Sequence, residues 1–173
     1  MKKLLSYVFI TGFILTAFTA SAQQPAKKPK ASPPDTVKAT LKNGVNVEID
    51  YSQPSVKGRT IGTDIAPYGK VWRTGANEVT GITFSKDVKV EGKSLKAGKY
   101  ALYTIPGEKD WVIIFSTGLK NWGTVYKEEE DVLRVTVKTQ KSPEFVEQLK
   151  FKVEPSGTIS FSWGDKMAAF KVK

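Results

Sequence analysis

The chain has 173 residues, no cysteine, no histidine and only two methionines. Without thiolate or imidazole there is no Ser-His-Asp triad, no Cys-His nucleophile pair and none of the usual zinc sites. Proton transfer and nucleophilic attack are left to carboxylates, lysines, tyrosines and activated hydroxyls. The lack of cysteine also rules out disulfides and lipid attachment of the bacterial lipoprotein kind, so any core must hold the fold unaided. No metal site and no cofactor is expected from this residue set. No segment repeats at a fixed period, which sets aside solenoids and propellers.

What is present begins with an export pattern. Lys2 and Lys3 precede a mostly apolar run from Leu4 to Phe18, and Ala20-Ser21-Ala22 fits small-x-small cleavage before Gln23. Residues 1–22 therefore read as a signal peptide. Ser6, Thr11, Gly12 and Thr16 interrupt the run, which falls short of the roughly 20 residues that span a bilayer, so no membrane span remains after cleavage. The mature protein is expected outside the cytoplasm, periplasmic or secreted. Residues 23–35, with four prolines and three lysines and nothing large to bury, read as a disordered Pro/Lys-rich linker. Residues 36–173 are one domain's worth of sequence.

Lysine plus arginine number 27 against 17 aspartate plus glutamate, a net charge of +10, of which Lys2 and Lys3 leave with the leader. Such a balance favours anionic partners, a small polar or anionic ligand or an acidic glycan among them, and export makes nucleic acid the least fitting. The lysines at 86, 89, 93, 96 and 99 are spread through turns and strand faces, the pattern of a solvated surface.

The dominant period is two. Val45, Val47, Ile49 and Tyr51 alternate with Asn46, Glu48 and Asp50, and Ile159, Phe161 and Trp163 with Ser160 and Ser162. Residues 100–105 and 111–115 are apolar on both faces, which suits the middle of a sheet. Strands are expected near 36–41, 45–51, 70–74, 79–85, 88–90, 99–105, 110–115, 131–137, 147–153, 157–163 and 167–172. Short helical turns are expected at 143–147 and 126–131. The fold class is all-β with little helix, a single antiparallel β-sandwich of jelly-roll type or a related barrel.

One segment stands apart: Pro67-Tyr68-Gly69-Lys70-Val71-Trp72-Arg73-Thr74-Gly75-Ala76-Asn77-Glu78. It joins an indole, a forked cation, an amide and a carboxylate in a stretch broken by two glycines, a mixture suited to a ligand-facing hairpin. Trp72, Arg73, Asn77 and Glu78 are the candidate ligand-binding residues. Lys57 and Arg59, flanking Gly58, form a second cationic turn, and Trp122 adjoins loop chemistry. Strand alternation sets Trp72 and Arg73 on opposite faces unless a bulge at Thr74-Gly75 brings them to one rim. Glu78 and Asp50 are the only carboxylates nominated for catalysis. Against them, Asp50 falls on the polar phase of a strand and Glu78 is placed to pair with Arg73 across the hairpin.

Three blocks, Asp50 to Arg59, Pro67 to Glu78 and Ala97 to Pro106, together with Asn121-Trp122-Gly123, resemble a bacterial exported family catalogued as domain of unknown function 2911. The resemblance runs over most of residues 36–173 and implies an exported, β-rich domain, with no catalytic residues to carry over. The residues favour a non-catalytic binding module for a polar or anionic small molecule or a glycan. A histidine-free hydrolase working through carboxylates and an envelope protein–protein interaction domain stay open beside it. Because the Pro-Lys linker offers no apolar side chain to a core, a chain trimmed to begin at Ser32 should melt at the temperature of the mature chain. A drop of several degrees in differential scanning calorimetry would contradict this.

Overall fold

A computed structural model describes residues 31–120 and 125–173. The expected signal peptide, the linker as far as residue 30, and Trp122 lie outside the described residues. In chain order the elements are β1 (Pro34–Thr40), β2 (Asn46–Ser52), β3 (Thr80–Phe84), β4 (Val88–Val90), β5 (Lys93–Leu95), β6 (Gly98–Ile105), β7 (Asp110–Ser116), a 3-10 turn (Glu128–Glu130), β8 (Asp131–Val153) and β9 (Thr158–Lys171). Seven strands form one antiparallel sheet in the order β1-β2-β3-β6-β7-β8-β9, and β4-β5 is a separate hairpin. The doubly apolar strands β6 and β7 pair at its centre, Leu102 opposite Phe115 and Thr104 opposite Ile113.

The sheet curls until its ends meet other parts of the chain. The second half of β8 reaches the segment after β2, where Val56 N donates to Glu147 O at 2.8 Å and Leu149 N to Pro54 O at 3.1 Å. The end of β9 reaches β4, with Lys89 N donating to Lys173 O at 2.8 Å and Glu91 N to Lys171 O at 2.9 Å. A sandwich or barrel-like fold is the result. Alternation then sorts the side chains: Val47, Ile49, Ile82, Phe84, Leu102, Ile113, Phe151 and Phe161 share one enclosed core. Ala101, Tyr103 and Ile114 form a smaller buried cluster on the other face of the central strands, with Val79, Ile105, Leu119 and Tyr126 against it.

Four expectations need correction. Residues 70–74 make only a single bridge, Trp72 to Thr104; Thr74 and Asn77 adopt φ of 51° and 58°, left-handed values that end extended pairing at once. The helical turn expected at 143–147 is instead part of β8, because Glu147 and Gln148 give their backbone to Ser55 and Val56. The segments 131–137 and 147–153 are two halves of β8, and 157–163 and 167–172 two halves of β9. Finally, β5 is a strand the sequence reading missed, and β1 begins two residues early at Pro34. The early start follows from Asp35, whose carboxylate accepts from Tyr51 OH at 2.7 Å and Gln53 Nε2 at 3.3 Å.

The C-terminus closes the structure at one tight point. Gly157, at φ 92°, holds a conformation costly for any side chain, and a Cβ there would stand 2.0 Å from the carbonyl oxygen of Val172. Gly69 has a similar φ of 70° but open space around it. Gly69→Ala should therefore cost only the backbone strain, about 1–2 kcal/mol. Gly157→Ala should cost clearly more, because the last strand must also move, and urea unfolding midpoints of the two variants check the order.

Candidate functional site

The segment 67–78 is held mostly by its own polar groups. Trp72 exchanges two backbone hydrogen bonds with Thr104, at 2.7 and 2.8 Å. Thr80 Oγ1 donates to Thr74 O at 2.8 Å, Thr74 Oγ1 donates to Thr104 Oγ1 at 3.2 Å, and Trp72 Nε1 donates to Gly75 O at 3.1 Å. Asn77 Nδ2 donates to Ser32 O at 3.1 Å, so the candidate amide ties the start of β1 to the hairpin. The indole of Trp72 turns inward and stacks on Trp163, ring centroids 5.1 Å apart and 11° from parallel.

Arg73 is the exception. It is half-buried, its Nε is fully buried with no hydrogen-bond partner, and it forms no ion pair among the described residues. Strand alternation turns it away from Trp72, toward the face that carries Ala101, Tyr103 and Ile114. Trp72 and Arg73 do not share one rim: Trp72 packs against the core, and alternation sets Arg73 on the opposite face. Glu78 is exposed and is itself engaged, but not in an ion pair with Arg73.

The remaining nominated residues are divided among other tasks. Burial works to raise the pKa of Asp50, but hydrogen bonds from Lys99 Nζ at 2.8 Å and Thr36 Oγ1 at 3.0 Å, with the Lys99 charge, outweigh it and leave the carboxyl below its usual range. A carboxylate so held is a poor proton donor. Arg59 spends its guanidinium on the turn itself, donating to Val56 O at 3.0 Å and Ser55 O at 2.7 Å. Lys57, at φ 50°, donates its backbone N–H to Glu147 Oε1 at 2.9 Å. This turn joins β2 to β8.

On the same face as Arg73, Arg134 Nε donates to Asp131 Oδ2 at 2.7 Å and Arg134 Nη2 donates to Tyr126 OH at 2.6 Å. Tyr126 in turn donates to the same carboxylate oxygen and packs edge-on against Tyr103, ring centroids 5.0 Å apart. Asp131 Oδ1 is buried without a partner. The sequence reading gives only a short helical turn at 126–131 and misses the cluster, in which Tyr126, Asp131 and Arg134 are near in sequence and Tyr103 of β6 joins them.

A groove of about 870 Å³ lies on the outer side of the β8–β9 hairpin, and it too was missed. It exists because the strands are unequal: β8 advances from Lys141 to Val146 while β9 moves only from Lys166 to Gly164. The surplus bends the hairpin, a bulge on a large scale. Its lining includes Thr158, Ser160 and Ser162, the outward phase of β9. The alternation of Ser160 and Ser162 with large apolar residues was the signal available in the sequence.

The family model described as "Protein of unknown function (DUF2911)" matches residues 32–172. The chain belongs to the DUF2911 family. Neither the curated proteins nor the solved structures give a match. The start of the match at residue 32 coincides with Ser32, the acceptor for Asn77, so the family domain includes the segment leading into β1.

Two tyrosines of the DUF2911 domain titrate late. Burial and then the Asp35 hydrogen bond push Tyr51 up to about 12, and burial and then Asp131 push Tyr126 up to about 12. The folded pKa lies above the unfolded value near 10, so the stability these hydroxyls contribute is intact below pH about 10 and is lost as the pH rises toward 12. Absorbance titration of tyrosinate should show two residues ionising last, together with alkaline unfolding. Tyr126→Phe should remove one late step while leaving the other.

Proposed function

We propose that this DUF2911 domain is a non-catalytic binding module acting outside the cytoplasm, and that Arg73 receives the anionic group of a small polar ligand. The observation that carries this reading is the unpartnered Nε of a half-buried guanidinium. Leaving such a donor unsatisfied costs about 1–3 kcal/mol or more for a charged group, and folding has not removed that cost with a carboxylate. An anion held by a charge-assisted hydrogen bond would. Every other polar group of the hairpin discussed above already has a partner, which isolates Arg73 as the group with unused capacity.

Binding is favoured over catalysis because Asp50, one of the two nominated carboxylates, is held ionised by Lys99 and Thr36 and offers no proton donor. The test is a thermal-shift series with inorganic phosphate, glucose 6-phosphate, citrate and glucuronate. A ligand present at a hundred times its Kd adds about 2.7 kcal/mol of apparent stability. At least one of these anions should raise the melting temperature of the wild-type domain, and Arg73→Ala should abolish the shift with little change in basal stability. A loss of several kcal/mol in Arg73→Ala, with the ligand shift intact, would make Arg73 architectural.

A further inference from the structure

We propose that the end of the domain formed by β4, β5 and the residues that close β9 is a docking surface for an anionic lipid bilayer. It does not depend on Arg73. Of the 27 lysines and arginines, Lys2, Lys3, Lys27, Lys28 and Lys30 precede the described residues, which leaves 22 against 17 aspartates and glutamates, a surplus of five. This end carries seven lysines and two carboxylates, so it holds the whole surplus, and the rest of the described domain is neutral at 15 against 15. A carboxylate on the main chain of Lys173 lowers both surpluses by one and leaves the asymmetry unchanged.

Three separate stretches of chain bring these lysines together. Lys89 and Lys173 exchange backbone hydrogen bonds at 2.8 and 2.9 Å, so they stand directly opposite each other with both side chains on one face. Like charges in that position destabilise a sheet, yet neither ammonium has an ion-pair partner among the described residues. Lys171 faces Glu91, whose carboxylate accepts from the Lys171 backbone N–H at 2.6 Å. Lys86 Nζ lies 3.2 Å from where a Cβ on Gly44 would stand, and Lys42, two residues before that glycine, lines a depression shared with Lys173. Lys96 is neutralised by Asp87 at 2.8 Å, and Lys93 Nζ donates to Arg134 O at 3.0 Å. At the border Glu154 is tied to Lys152 at 2.8 Å. Lys42, Lys86, Lys89, Lys171 and Lys173 are thus left without an ion-pair partner among the described residues.

The layout of the charge selects the partner. Lys171 and Lys173 are about 6.7 Å apart along the chain and Lys89 and Lys173 about 5.5 Å apart across it, while Lys42 and Lys86 widen the patch at the adjoining turn. Charge spread in two directions matches a plane of headgroups, whereas a linear polyanion meets a single row. All seven cations are lysines, compact point charges without the planar fork by which arginine fixes one phosphate in one orientation. Such groups suit many mobile headgroups better than one oriented ligand. The exposed large apolar side chains, Val71, Val125, Val132 and Phe145, belong to other segments, so attachment is by charge and not by insertion. Because the remainder is neutral, the domain has one charged pole, which turns toward a negative surface.

Flotation of the mature chain from Gln23, with its linker lysines kept in every variant, tests the assignment against vesicles of phosphatidylcholine alone and vesicles with about one-third phosphatidylglycerol. The chain should float with the anionic vesicles only, and about 1 M salt, where the screening length falls to about 3 Å, should release it. Lys89→Gln with Lys173→Gln should lower the bound-to-free ratio about tenfold or more. Its melting temperature should stay unchanged or rise slightly, because the opposed charges are relieved. Lys42→Gln with Lys86→Gln, outside that strand pair, should show the same loss of binding. Lys70→Gln with Lys109→Gln removes the same charge beyond the far end of β6, about 23 Å along the strand, and should leave the ratio unchanged. The proposal is overturned if the wild-type chain ignores the anionic vesicles or floats equally with phosphatidylcholine, or if soluble polyglutamate binds it more tightly per charge than the vesicles do. It is equally overturned if the Lys70 and Lys109 pair matters as much as the Lys89 and Lys173 pair. If the latter pair of substitutions disturbs the fold, wild-type binding by Lys42→Gln with Lys86→Gln is sufficient to overturn it.

Discussion

The contact on which the rest of the structure leans is the stack of Trp72 on Trp163. Trp163 immediately precedes Gly164, where β9 bends, and Trp72 belongs to the hairpin that bridges to β6 at Thr104. Trp111 of β7 meets Trp72 edge-on at 6.1 Å and Phe161 at 5.2 Å, so one aromatic cluster links the central sheet, the hairpin and the bent C-terminal pair. With no disulfide available, this burial is what holds the curled sheet against its own ends. The indole N–H groups of Trp111 and Trp163 are buried without acceptors, at about 1–3 kcal/mol each. A buried tryptophan removes about 150–250 Å² from water, about 4–6 kcal/mol on the usual area scale, so packing outweighs the loss.

Two kinds of unsatisfied polar atom therefore coexist and mean different things. The indole donors lie inside a dense apolar cluster, where their cost is the consequence of tight packing. Arg73 Nε and Ser142 Oγ belong to residues outside that cluster, one on the hairpin and one in the lining of the groove. The bend that creates the groove also makes room for Gly164, whose Cβ, if present, would stand 2.9 Å from Ile61 Cδ1. Closure of the core and formation of the groove are thus two sides of one irregularity in the β8–β9 register.

Much of the fold was legible along the chain. The period-two stretches gave β2 and the first half of β9, because burying one face of a strand imposes alternation on its residues, and the stretches apolar on both faces gave β6 and β7. The same rule explains the misreadings. In β9 the inward phase is Phe161 and Trp163 before Gly164 and Ala168 and Phe170 after it, so one bent strand presents two patterns and reads as two strands. The hairpin at 67–78 looked like a site because aromatic, cation and amide were close in sequence. In space the aromatic went to the core and the amide to the backbone of Ser32, leaving the cation alone.

By itself the sequence determined the all-β class, the central β6–β7 pair and the absence of imidazole and thiolate chemistry, since composition and alternation are local properties of the chain. The tertiary structure decided which polar groups found partners and which did not. Asp50 met Lys99 across strand registers, Arg59 closed on its own turn, and Arg134 met Asp131 three residues back in the same strand. The groove is likewise a tertiary fact, because it arises from unequal strand lengths in one hairpin, and only the closed sheet fixes which strand carries the surplus.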